Sequence, residues 1–199
     1  GEGDTVGGIA DRAAVPPIEW LYDHLTAGDG GNGAADNLLN YADGNLDAMH
    51  DMLAHPLVIS GLGDGGAHLN TICDASMTTS QLILWGRDRK RGPKLPVERL
   101  IAKMTRDNAR LYGLADRGVL AEGMRADINV IDFDALSLEL PRVHHDLPNG
   151  APRLLQGSRG YVATTVAGTV TRREDADTGA RPGRLIRGQA SAGMRQAAE

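Results

Sequence analysis

Asp64 lies in the run Ser60-Gly61-Leu62-Gly63-Asp64-Gly65-Gly66-Ala67-His68, one carboxylate enclosed by glycines directly after the short apolar run Leu57-Val58-Ile59. An acid so placed sits at the carboxyl end of a buried strand, the edge at which α/β folds gather their chemistry. A second reading fits the same spacing: a turn-forming aspartate satisfied by the backbone amides of Gly65 and Gly66. His68, four residues on, is a candidate for contact with substrate or an active-site water, against a structural hydrogen bond.

The remaining reactive side chains are more scattered. Cys73 beside Asp74 reads as a small buried hydrophobe rather than a nucleophile. The pair His144-His145 has no ligand partner at metal spacing and reads as a polar loop. His24, His50 and His55 fall in or beside helical segments as surface or capping residues, and Arg181 and Arg184 could bind a carboxylate but read first as part of a Gly-Pro-punctuated tail that docks on the domain.

The elements that must position Asp64 follow from periodicity. Asp43-Gly44-Asn45 offers capping side chains, and Leu46, Met49 and Leu53 recur at helical spacing until Pro56 stops the helix. A helix therefore leads into an apolar strand at Leu57–Ile59, expected to be central and parallel to its neighbours, with Leu38-Leu39-Asn40-Tyr41 as a preceding strand after the small, polar loop from Ala27 to Asp36. Thr78 to Trp85 could form a short helix. A longer one starts behind Pro96, carries the stripe Val97, Leu100, Ile101, Met104 and Leu111, and ends at Gly113. Beyond it the period becomes two: Ala126, Ile128 and Val130 alternate with Asp127 and Asn129. Tyr161–Val166 and Thr169–Thr171 read as strands joined by a two-residue turn at Ala167-Gly168. A small β unit is expected from residue 116 onward, and the tail from Gln189 to Glu199 is polar and loosely held.

Composition bounds the function. The 199 residues carry a formal charge of −5, which argues against a dedicated nucleic-acid surface. The basic run Arg87-Asp88-Arg89-Lys90-Arg91 is interrupted by an acid and reads as a solvated loop. Cys73 is the sole cysteine, so no internal disulfide is possible, and no apolar stretch approaches the ~20 residues of a membrane span. A reducing, cytoplasmic setting is expected. The first residues, Gly1-Glu2-Gly3-Asp4, carry neither an initiator methionine nor a signal-peptide pattern, and the sequence reads as though begun in mid-protein.

The order of motifs resembles a known family. His55-Pro56, the apolar run, the Gly63-Asp64 pair, the helix ending Lys103-Met104-Thr105-Arg106-Asp107-Asn108-Ala109-Arg110-Leu111-Tyr112-Gly113-Leu114, then Asp116-Arg117-Gly118, Glu122-Gly123, Ala126-Asp127 and Thr178-Gly179-Ala180-Arg181-Pro182-Gly183-Arg184 are similar to the carboxyl-terminal portion of the D-aminoacylase branch of the amidohydrolase superfamily. The resemblance implies an α/β fold: the last strands and helices of a metal-dependent (β/α)8 TIM barrel over residues 1–115, part of a small β-sandwich over 116–188, and a flexible tail over 189–199.

It also implies hydrolysis of N-acyl-D-amino acids or related amides with zinc in the complete enzyme, Asp64 moving the proton and serving at most as an auxiliary metal ligand, and Gly65, Gly66 and His68 lying against substrate. The family usually has Ser or Thr where this chain has Gly63, and its His-x-His pair and other metal ligands are absent here and expected upstream. A barrel needs ~250 residues. The chain then reads as the last third of an enzyme, needing its amino-terminal barrel portion or self-association, with a small-molecule substrate and neither nucleic acid nor membrane as partner. Two further function classes remain open: a non-catalytic truncated fragment lacking the metal ligands, and an anion- or phosphate-binding α/β domain using Gly61-x-Gly63-x-Gly65-Gly66, although Asp64 at its centre would repel phosphate.

Overall fold

The computed structural model describes residues 5–28, 44–61 and 63–186. Its contacts divide the chain into two units, residues 1–52 and 53–199. In the first, the Thr5 hydroxyl accepts from the Gly8 amide at 3.0 Å and opens helix α1, Val6–Ala13, which closes on Ala14 in the left-handed conformation. Helix α2, Pro17–Thr26, begins with proline at its first turn, where a missing amide costs nothing. The expected strand Leu38–Tyr41 and most of the loop from Ala27 to Asp36 lie outside the described residues, as does the tail from Gln189.

Helix α3, Asp47–Ala54, forms where the sequence places it. Asn45 Oδ1 accepts from the Asp47 amide at 2.9 Å, and the helix stops before His55-Pro56. The segment that follows is not the expected strand: residues 57–61 carry no strand pairing and Leu57 is 86% exposed. A parallel strand is held by hydrogen bonds to its neighbours, and among the described residues every strand pairing is antiparallel.

A 3₁₀ turn, Asp74–Ser76, leads into helix α4, Met77–Gln81, which runs on through a π turn, Leu82–Asp88. Helix α5, Val97–Ala102, passes through a second π turn, Lys103–Asp107, into α6, Asn108–Leu111. Gly113, at φ +67°, ends it in a Schellman arrangement, with the Leu114 amide donating to Ala109 O at 2.8 Å. The buried face of this helix keeps part of the expected stripe, Leu100 buried with Val97 and Met104 half-buried, and departs from it elsewhere. Leu100, Lys103 and Ala109 are inside, whereas Ile101 and Leu111 are 37% and 65% exposed. A π turn adds a residue to one turn and rotates everything downstream by about 100° from a straight 3.6-residue period, which takes Leu111 off the face of Leu100.

The β unit is a four-stranded antiparallel sheet in the order β1-β6-β7-β8, with two short ribbons, β2 with β5 and β3 with β4. The strands are β1 Ile128–Ile131, β2 Ser137–Leu138, β3 Arg142–His144, β4 Arg153–Leu155, β5 Ser158–Arg159, β6 Tyr161–Val166, β7 Thr169–Arg173 and β8 Ala176–Asp177. Strand β1 follows the predicted alternation only to Asn129. Val130 is 51% exposed and Ile131 half-buried, and the pairing with β6 slips between them, skipping Val162. The β6–β7 hairpin turns at Ala167 and Gly168, both at positive φ, as a two-residue hairpin requires. Among the described residues no helix is long and apolar enough to cross a membrane.

Candidate active site

The segment carrying Asp64 is gripped by side chains instead of a neighbouring strand. Arg99 donates to Ala54 O, Lys103 Nζ donates to His55 O at 2.8 Å and also to Val58 O, and Asn108 Nδ2 donates to Ser60 O at 3.0 Å. The Ser60 hydroxyl, itself buried, donates to Gln81 Oε1 at 2.9 Å. The continuous α5–α6 helix and the end of α4 thus hold residues 54–60 by their carbonyls and one hydroxyl.

Beyond Ser60 the grip passes to glycines. A Cβ on Gly63 would collide with the Asp74 carbonyl oxygen and lie 3.1 Å from Met77 Cβ, and one on Gly65 would lie 2.6 Å from the Ala75 amide nitrogen. Only glycine allows this approach. The residue that in the resembling family is usually Ser or Thr therefore has no room for a hydroxyl at position 63.

Asp64 sits between these two contacts, exposed, with φ +52°. Its carbonyl accepts from the Ala67 amide at 2.9 Å, while among the described residues no hydrogen bond holds its carboxylate. The turn is closed by the main chain, and the carboxylate is left available. Gly66 takes φ +98°, and Gly65 and Gly66 are both exposed. His68, also exposed and at φ +43°, contributes its carbonyl to the Thr71 amide at 2.7 Å. The Leu154 amide donates to Leu69 O at 2.7 Å, tying the far side of the loop to β4. No hydrogen bond joins the Asp64 and His68 side chains.

Cys73 is an unpaired, half-buried thiol. His144 lies in β3 opposite Arg153, and His145 Nδ1 lies 3.2 Å from Gly150 O. His24 stacks on Trp20 at 4.8 Å, and His55 Nδ1 accepts from the Leu57 amide at 3.2 Å. His50 is not a surface residue: its side chain is only 12% exposed, with Nδ1 3.2 Å from Asp51 Oδ1. Arg181 holds Asp177 through two hydrogen bonds, at 2.9 and 2.7 Å, and this lowers the Asp177 carboxyl to about 2.

Among the described residues no three His, Cys, Asp or Glu side chains gather to hold a metal ion. Asp64 alone does not fit such a centre, which takes three protein ligands in a catalytic zinc site. What this arrangement offers is one exposed carboxylate, without a hydrogen-bond partner among the described residues, between two close glycine contacts.

Sequence reasoning passes over Lys103, whose side chain is buried although lysine seldom is. The available signal is its place three residues after Leu100, on the same helical face. Burial pushes the Lys103 ammonium below its ordinary 10.5, with Arg99 repelling it and Asp107 opposing the shift. Gln81 and Asn108 give no comparable signal.

The sequence profile of the amidohydrolase family matches residues 2–172. The N-acyl-D-glutamate deacylase of Alcaligenes xylosoxydans xylosoxydans is 38% identical over 115 residues, covering 53% of this chain and 20% of that protein. The chain thus corresponds to about a fifth of the curated relative it matches. No solved structure matches it.

Proposed function

This chain belongs to the amidohydrolase family, and from that premise we propose that it is the carboxyl-terminal segment of an enzyme hydrolysing N-acyl-D-amino acids, with Asp64 as the group that moves the proton. The observation that carries this reading is the unpartnered carboxylate of Asp64, seated between two glycines that pack against Asp74 and Ala75. The similarity to an N-acyl-D-glutamate deacylase makes N-acyl-D-amino acids with acidic side chains the first substrates to assay.

In this reading Asp64 accepts a proton as water adds to the amide carbonyl carbon. It then returns that proton to the amine nitrogen as the C–N bond breaks, so the carboxylate is regenerated each turnover. Gly65, Gly66 and His68 border the same loop and lie against substrate. The zinc of the complete enzyme belongs to ligands outside the described residues, with Asp64 at most auxiliary. Residues 1–115 belong to the barrel and 116–188 to the smaller β domain in this scheme. The amino-terminal barrel portion is the partner, and the cytoplasm, where Cys73 stays reduced, is the compartment.

The test is kcat for N-acyl-D-amino acid hydrolysis by the complete enzyme carrying Asp64→Asn, with zinc measured per subunit. Turnover should fall by about 10²-fold or more, because the amide keeps the size of the carboxylate but not its basicity. Zinc content should change little. Near-normal turnover would remove Asp64 from the mechanism.

A further inference from the structure

We propose that Lys103 is a positioning residue for Asp64, its ammonium holding the carbonyls of His55 and Val58 so that the segment entering the acid loop has one fixed path. This rests on the reading of Asp64 as the proton-moving group.

The geometry is specific. Lys103 is 3% exposed, on a face it shares with the fully buried Leu100. An apolar residue there would spare the several kcal/mol of desolvation that burying an ammonium costs. What the lysine adds is donors: an ammonium has three N–H groups and can serve two carbonyls at once. Its two acceptors are three residues apart, and His55 O also accepts from the Val58 amide at 3.3 Å, so the lysine closes a turn that the backbone alone closes weakly. Ser60, two residues further, is fixed by Asn108 and Gln81, and Gly63 by Asp74. Lys103 is thus the first buried peg in a series that ends on either side of Asp64. Without it, two carbonyls must find water, and the chain leading to the acid is released at its root.

The experiment compares Lys103→Met, Lys103→Gln and Asp64→Asn, singly and combined, in the complete enzyme. A residue acting through Asp64 should lower kcat by about ten-fold or more in Lys103→Met while KM stays within about two-fold, and should cost less than about two-fold more when Asp64→Asn is already present. Lys103→Gln, which keeps donors for one carbonyl, should fall between wild type and Met, and it carries the comparison if Lys103→Met does not fold. In the 199-residue chain itself, the Val58 amide should exchange its hydrogen about ten-fold faster in either variant.

Unchanged kcat in both Lys103 variants beside a crippled Asp64→Asn overturns the positioning role alone. Equal losses in the wild-type and Asp64→Asn backgrounds overturn it too, since they mark general destabilisation. Full activity in Asp64→Asn overturns the premise instead, and is visible as such without any Lys103 variant.

Discussion

The Thr79 hydroxyl lies 2.6 Å from the Tyr161 hydroxyl, joining α4 to the first residue of β6 across 82 positions of sequence. Thr79 is buried, so its hydroxyl has no water to fall back on. Within the unit from Leu53 onward, this bond links the helix beneath the acid loop to the antiparallel sheet.

Tyr161→Phe removes the partner and leaves the Thr79 oxygen buried alone. The expected loss is about 1–3 kcal/mol, read from urea unfolding of the chain. Adding Thr79→Val should recover part of it, because an apolar pair replaces an orphaned hydroxyl. A double variant as unstable as the sum of the two single changes would show that the hydroxyls do not interact.

Gly160 and Gly168 both hold positive φ, +98° and +78°, but only Gly160 is crowded, with the Leu136 backbone 2.9 Å from where a Cβ would stand. Alanine at either position bears the backbone penalty of about 1–2 kcal/mol. At Gly160 it must also displace the backbone around Leu136, which is 1% exposed. Gly160→Ala should therefore lower the thermal midpoint clearly more than Gly168→Ala. Equal shifts would mean that the close approach carries no cost.

The Asp177 carboxyl is held down by its hydrogen bonds to Arg181, then by the Gly179 amide, from an ordinary 3.8 to about 2. A carboxyl lowered in the folded state adds stability above its unfolded value, and that contribution disappears as pH falls through the folded one. The wild-type chain should thus lose stability between about pH 4 and pH 2 more steeply than Asp177→Asn, measured as the denaturation midpoint against pH. The difference should shrink in high salt, since the pair is exposed. Parallel pH profiles for the two proteins would rule out a contribution from this pair.

Legibility in the sequence varies with how local the cause is. The hairpin at Ala167-Gly168 is readable because a glycine marks one of its two positive-φ positions. The turn at Glu174 and Asp175, at φ +48° and +64°, joins β7 to β8 with no glycine to announce it. Asn45 and Pro56 bound α3 by local chemistry. The apolar run Leu57–Ile59 promises a strand, yet a strand exists only where a neighbour bonds to it, and neighbours are not written in the run itself. The seat of Asp64 is legible as a glycine cage. What holds that seat is less so: Lys103 falls on the face of Leu100 by ordinary helical spacing, but Asn108 follows a π turn whose rotation no residue pattern signals.

The side chains that grip the carbonyls leading into the acid loop come from later in the same stretch of chain. Arg99 reaches back 45 residues to Ala54, Lys103 48 to His55, and Asn108 48 to Ser60. Loop-closure entropy grows only slowly with length, and closures of this span form early relative to pairings across a whole barrel. The order of assembly follows: residues 54–60 can be held onto their helix as soon as Asn108 has left the ribosome tunnel, before the Leu154 amide ties the far side of the loop. The Asp64 carboxylate is then placed by its own neighbourhood in time as well as in space.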